Sequence, residues 1–279
     1  MKKIILNADD FGRHELINKA VEIAATEGAL RSATLMPAGA AFDDAIEIAK
    51  KLPALGIGIH LTLVDDTPLS PPDTIPTLVK SDGKFYPNYM AFLKAYFTGK
   101  ISLSDIRAEL SAQFEKMERT GLTFTHIDSH QHLHHAPGIL EIALNLAEKA
   151  GIKKMRVSHT KLFSGNVKNL FQIIGRGGLF TLSSYAKLKG KKKGFRYPDH
   201  FAGIVAGEAV TETFLLNEVE NLEEGVTEVM MHPAMDNAKI GNLTGWLHDY
   251  EAEFKAATSK KLMSVLKEKN IETTNYNEI

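Results

Sequence analysis

Residues 126 to 135 read HIDSHQHLHH and hold five of the chain's eleven histidines, where scatter over 279 residues would put about 0.4 in any ten. Imidazoles gathered this way bind a divalent cation or move protons. His126, Asp128 and His130 share one parity, so on an extended strand they point to the same side. A histidine-rich surface loop is the plain alternative. Asp9 and Asp10 follow the short apolar run Ile4 to Leu6. Two adjacent carboxylates repel each other, which a bound cation or a shared proton relieves; a helix N-cap would also use such residues. His60 closes the apolar stretch GIGIH, where it is either a core histidine or a ligand. His232 ends TEVMMH just before Pro233, which suits a general acid or the cap of a turn. Arg156 ends KMRV and could orient a carboxylate or a substrate oxygen, or serve only as an ion-pair partner.

The elements that must carry these groups alternate between strand and helix. Ile4 to Leu6 reads as a strand, Glu15 to Thr26 as a helix, Ser32 to Met36 as a strand, Ala41 to Leu52 as a helix and Gly56 to Leu63 as a strand. Ser104 to Arg119 has Ile106, Leu110, Phe114 and Met117 on one helical face. Thr123 to Asp128 and Lys154 to Val157 then read as strands flanking a helix from Ile139 to Lys149. The last third gives a helix near Glu212 to Leu222, a strand over Val226 to Met231, one helix over Tyr250 to Lys269 and a short strand at Ile271 to Thr274. This is the pattern of a parallel α/β fold, an irregular TIM-like β/α barrel of about seven strands in a single domain over residues 1–279. Asp10, His60 and His130 then stand at the ends of three strands on one mouth, where such folds build their sites. One carboxylate and two imidazoles would leave positions on a cation open, as a hydrolytic metal site requires.

Two stretches break the alternation. Pro68, Pro71, Pro72, Pro76 and the Asp82-Gly83 pair make 64–88 a loop insertion over the mouth. The other insertion covers 159–200, within which 162–193 joins an apolar half to Lys187, Lys189, Lys191, Lys192 and Lys193. That combination suits a lid, a dimer contact or a contact with an anionic lipid surface.

Composition narrows the chemistry further. There are no cysteines, so disulfides and thiolate ligands are excluded and a metal would be held by imidazole and carboxylate. A net charge of −1 gives no reason to expect nucleic acid. The N-terminal apolar run is too short for a signal segment, and no stretch reaches 18 apolar residues, so a cytoplasmic protein is expected.

Asn7-Ala8-Asp9-Asp10-Phe11-Gly12, Gly58-Ile59-His60-Leu61, the run from His126 to His134 and His232-Pro233 together resemble the YdjC family of carbohydrate deacetylases. These motifs run in order from residue 7 to residue 233. The family's fold is an irregular β/α barrel, and its members include deacetylases of chito-oligosaccharides and of an amino-sugar hopanoid lipid. The resemblance implies that Asp10, His60 and His130 bind one divalent metal ion, magnesium or zinc. It implies that Asp9 is the general base and His232 the general acid. His132 and His134 would line the substrate cleft, and His126 and Asp128 would orient the ligands. Gln131 departs from the histidine expected in the chito-oligosaccharide branch, which puts the identity of the substrate in doubt. The resemblance also suggests a homodimer, and a peripheral membrane contact if the substrate is a glycolipid.

The expected reaction is hydrolysis of an N-acetyl group on an amino sugar, with Asp9 taking a proton from the attacking water and His232 giving one to the leaving amine. A metal-dependent phosphoesterase on a similar barrel is the competing enzyme, and it would want a second metal. A sugar-binding protein without turnover is the other alternative, and it has no use for Asp9.

Overall fold

The computed structural model describes residues 1–159, 170–204 and 209–279. Its centre is a parallel sheet of seven strands: β1 (Lys2–Phe11), β2 (Ser32–Leu35), β3 (Gly56–Leu61), β4 (Ile127–Ser129), β5 (His200–Ala202), β6 (Gly225–Met231) and β7 (Glu272–Thr273). The order is β4-β3-β2-β1-β6-β5, and β7 pairs with the start of β1. Beyond β4 the ladder continues through single bridges, Ile127 to Met155 and Lys154 to Arg196, so the sheet curls into an irregular barrel. The stretch expected as a strand over Lys154 to Val157 is present only as these bridges. Its backbone carries the curl from β4 towards β5.

Helices α1 (Glu15–Glu27) and α2 (Phe42–Lys51) follow β1 and β2, and α4 (Leu103–Glu118) and α5 (Ile139–Lys149) flank β4 after the insertion that holds α3 (Tyr89–Phe97). Ile106, Leu110, Phe114 and Met117 of α4 are buried, as the 3.6-residue spacing requires of a face against the sheet. α7 (Glu212–Glu220) precedes β6, and α8 (Asn237–Thr244) follows it. The single helix expected over Tyr250 to Lys269 is two, α9 (Tyr250–Ala257) and α10 (Lys260–Glu268). Ser259 separates them because its hydroxyl accepts from Leu262 N at 3.0 Å and caps α10.

Residues 170–192 form the 23-residue helix α6, where the sequence pattern had broken down. Four glycines in it, Gly175, Gly177, Gly178 and Gly190, dilute the apolar spacing that marks a helix. Two of the cluster lysines are paired locally, Lys189 with Glu141 at 3.4 Å and Lys193 with Glu148 at 3.8 Å. The first part of the expected lid, 162–169, lies outside the described residues. The loop over 64–88 is ordered by bridges from Val64 to Tyr86 and from Val79 to Phe85. Among the described residues no helix is long and apolar enough to cross a membrane.

Candidate active site and metal centre

β1 carries two carboxylates to one site by breaking its own pleat. On a regular strand Asp9 and Asp10 would face opposite sides. Between Ala8 and Phe11 the register with β2 slips, three steps on β1 matching two from Ala33 to Leu35, and Asp10 takes φ 61°. This bulge turns Asp10 back towards the face of Asp9. Gly12 follows at φ 91°, where a Cβ would lie 2.9 Å from Leu35, so the turn after the pair needs a glycine. Both aspartates are buried.

Asp10 faces the imidazoles. Its Oδ1 lies 2.9 Å from His130 Nδ1 and 3.3 Å from His60 Nε2. Yet among the described residues Asp10 Oδ1 and His60 Nε2 have no hydrogen-bond partner. The distances are short while the angles are wrong for a hydrogen bond, so these atoms converge on a common point. The three ligand atoms lie within 4.8 Å of one another. Each imidazole is braced from behind. His60 Nδ1 is 2.7 Å from Asp128 Oδ1, and His60 and Asp128 are register partners on β3 and β4. With Nδ1 turned to Asp128, Nε2 is the nitrogen that faces the centre. His130 Nε2 is 3.5 Å from Asp65 Oδ2, and Arg13 spans Asp10 at 3.2 Å and Asp65 at 2.9 Å. The carboxylates outweigh burial and raise His60 to about 10, Asp128 first and Asp10 after it. Burial is likewise overcome at His130, chiefly by Asp10, which moves it up. Against its own burial, Asp10 is held well below the usual carboxylate range by His130 and Arg13. Orphaned atoms and surplus negative charge in a hard oxygen and nitrogen donor set fit a divalent cation.

Asp9 faces Arg156 instead. The two guanidinium end nitrogens donate to its two oxygens at 2.7 Å each. Arg156 NH1 is also 2.6 Å from Asp128 Oδ2, and Nε donates to Glu228 Oε1 at 2.9 Å. Arg156 is fully buried. Burial alone would lift Asp9, but the charge and hydrogen bonds of Arg156 keep it ionised far below the ordinary range. Asp9, His60 and Asp128 also converge as potential ligands, but Arg156 already neutralises both carboxylates.

His232 leaves the end of β6 half-buried, its backbone N–H donating to Glu253. Burial pulls it below the ordinary histidine value, with Asp9 and Glu253 pulling it back up. Trp246 joins it to the His60–His130 cluster: its ring lies parallel to His130 at 5.6 Å and edge-on to His232 at 6.0 Å.

The rest of the histidine run separates. His132 is half-buried with Nδ1 3.0 Å from Ser158 Oγ. His134 has no exposed surface, and both its nitrogens have partners, Ser129 at 2.6 Å and the Arg156 carbonyl at 3.1 Å. It braces the segment that carries Arg156, and with no exposed surface it does not line a cleft as the resemblance implied. His126 is bonded elsewhere, its Nδ1 2.8 Å from Thr125 Oγ1. It stacks on Tyr276 at 3.5 Å and covers Gly58, where a Cβ would meet its ring at 2.4 Å. The glycine of the Gly58-Ile59-His60 motif is therefore a space left for His126.

Arg13, Asp65, Glu228, Trp246 and Glu253 were not read from the sequence. Glu228 left a usable signal, a lone charge in the apolar strand VTEVMM. Arg13 and Asp65 left none, since each is an ordinary surface-type residue in a turn until the fold brings them together.

A parallel β/α barrel with an imidazole–carboxylate centre at its strand ends defines the class. A family model described as YdjC-like protein matches residues 3–268, and the chain belongs to that family. It is 30% identical to a carbohydrate deacetylase of Thermoanaerobacter pseudethanolicus, over 99% of this chain and 98% of the relative. It is also 30% identical to a carbohydrate deacetylase of Brevibacillus brevis, over 99% of each chain. Among solved structures, an Enterococcus faecalis protein described as a proposed cellobiose-phosphate cleavage protein superposes with a TM-score of 0.79 at 27% identity, covering 99% of this chain and 98% of that one.

Proposed function

We propose that this protein is a metal-dependent hydrolase that removes the N-acetyl group from an amino-sugar substrate, releasing acetate and a free amine. The observation that carries the reading is the convergence of Asp10 Oδ1, His60 Nε2 and His130 Nδ1 with two of those atoms left without partners. The names of the curated relatives supply the substrate class. Asp10, His60 and His130 would hold one divalent cation, magnesium or zinc. That ion would supply Lewis-acid polarisation of the amide carbonyl and lower the pKa of a water at neutral pH. Asp9, ionised beside Arg156, accepts the proton of the attacking water. His232 gives a proton to the departing nitrogen, and the Trp246 ring packs against both His232 and His130. Arg13, from the turn after β1, and Asp65, from the loop over the mouth, hold His130 in place.

The test is acetate release from a panel running from N-acetylated chitobiose to acetylated glycolipids, with elemental analysis of the same preparation. One divalent cation per chain and loss of acetate release in chelator are expected. Full activity without metal overturns the reading. Turnover of phosphate esters with two cations per chain would favour a phosphoesterase instead.

A further inference from the structure

The carboxylate that serves as base is one end of a buried chain of groups that begins close to the C-terminus. Tyr276 Oη donates to Glu228 Oε2 at 2.6 Å. Glu228 Oε1 accepts from Arg156 Nε at 2.9 Å and lies 2.8 Å from NH2. The far end of the same guanidinium grips Asp9. Tyr276, Glu228 and Arg156 have no exposed surface. The Tyr276 ring is stacked on His126, and its carbonyl accepts from Lys154 Nζ, so the hydroxyl is held from both sides. Tyr276 lies beyond the residues that the family model matches.

We infer that Glu228 and Tyr276 are positioning residues for the deacetylation: together they fix the plane of the Arg156 guanidinium and, through it, the carboxylate of Asp9. The inference rests on the reading of Asp9 as the base. A guanidinium is planar, so its orientation is set once Nε and one terminal nitrogen are held. Asp9 and Asp128 occupy only the terminal nitrogens. Glu228 supplies the contact at Nε, and without a partner on Oε2 its carboxylate could turn away. Tyr276 is that partner. A displacement of the reacting groups by about 1 Å can cost about 100-fold in rate, so a brace this far from the cleft still reaches the chemistry.

Tyr276→Phe removes the hydroxyl and keeps the ring on His126; Glu228→Gln removes the charge at Nε. Two measurements separate positioning from mere packing. The first is hydrogen exchange of the Arg156 Nε–H by NMR, which needs no substrate. The second is kcat and KM for the best acetylated sugar of the panel. Exchange is expected to quicken in both variants, and kcat to fall about 10-fold for Tyr276→Phe and up to about 100-fold for Glu228→Gln, with KM and metal content unchanged. Unchanged exchange overturns the inference, and so does quickened exchange with unchanged kcat. If Glu228→Gln does not fold, Tyr276→Phe carries the test alone. If the wild-type protein releases no acetate, the proposed reaction fails and the positioning of Asp9 for it fails too. Quickened exchange would then show a packing brace only.

Discussion

Around Arg156 three carboxylates share one guanidinium, with contacts of 2.6 to 2.9 Å, whereas around Asp10 two imidazoles aim at an oxygen without bonding to it. The two clusters are equally buried and one residue apart in sequence, Asp9 belonging to the first and Asp10 to the second. The first carries its cation as a side chain. The second has donors in excess of any cation that the chain supplies, since Arg13 reaches only Asp10 Oδ2. Buried donors that are only partly paired are expensive, and this second set could hold a divalent cation. The bulge at Asp10 is what allows two adjacent acids to serve such different ends.

Removing the built-in cation should do most damage. Arg156→Leu strips Asp9, Asp128 and Glu228 of the cation they share while they stay buried, which is expected to cost about 3–5 kcal/mol of folding stability. Urea unfolding measures it. A loss below about 1 kcal/mol would mean that these carboxylates protonate or reach water, and the contrast between the clusters would collapse.

The next effect separates the two acids. Asp10→Asn removes the charged ligand, so metal affinity should fall by more than the about 10- to 100-fold typical of changes behind a ligand, and activity with it. Asp9→Asn leaves Arg156 two carboxylates, so metal content should stay near one per chain while kcat falls about 10²- to 10⁴-fold. Elemental analysis of the two variants side by side decides. An emptied site in Asp9→Asn with a filled one in Asp10→Asn reverses the assignment.

The same contrast explains what could be read in advance. Strand ends were legible because apolar runs stop at polar groups there, which placed Asp10, His60 and His130 on one mouth. The pairing of His60 with Asp128 follows from strand parity and register, both sequence-visible in principle. The bulge was not legible, since nothing in NADDFG states that Asp10 adopts a left-handed backbone. Nor was the fate of His126 and His134, which depends on long-range partners, Tyr276 for one and the Arg156 carbonyl for the other. Helix α6 was missed because its glycines and lysines mask its period, and α9 and α10 were merged because both faces are amphipathic and only Ser259 marks the break.

The smallest effect concerns His232, which stands near both clusters and is coupled to each through space. Burial lowers it from 6.5, while Asp9, Glu253 and Asp10 raise it. If it delivers the proton to the amine, it must be protonated in the productive form, and kcat/KM should fall as pH rises through its value in the free enzyme. Glu253→Gln removes one of the charges that raise it. The buried amide still accepts from His232 N–H, so the backbone stays in place. The value at His232 should therefore move further down, by a few tenths of a unit to about one. The alkaline limb of kcat/KM should move to lower pH by the same amount, with NMR titration of the ring as the independent check. A shifted NMR titration with an unmoved limb would take His232 out of the proton-donating role and leave that step to another group.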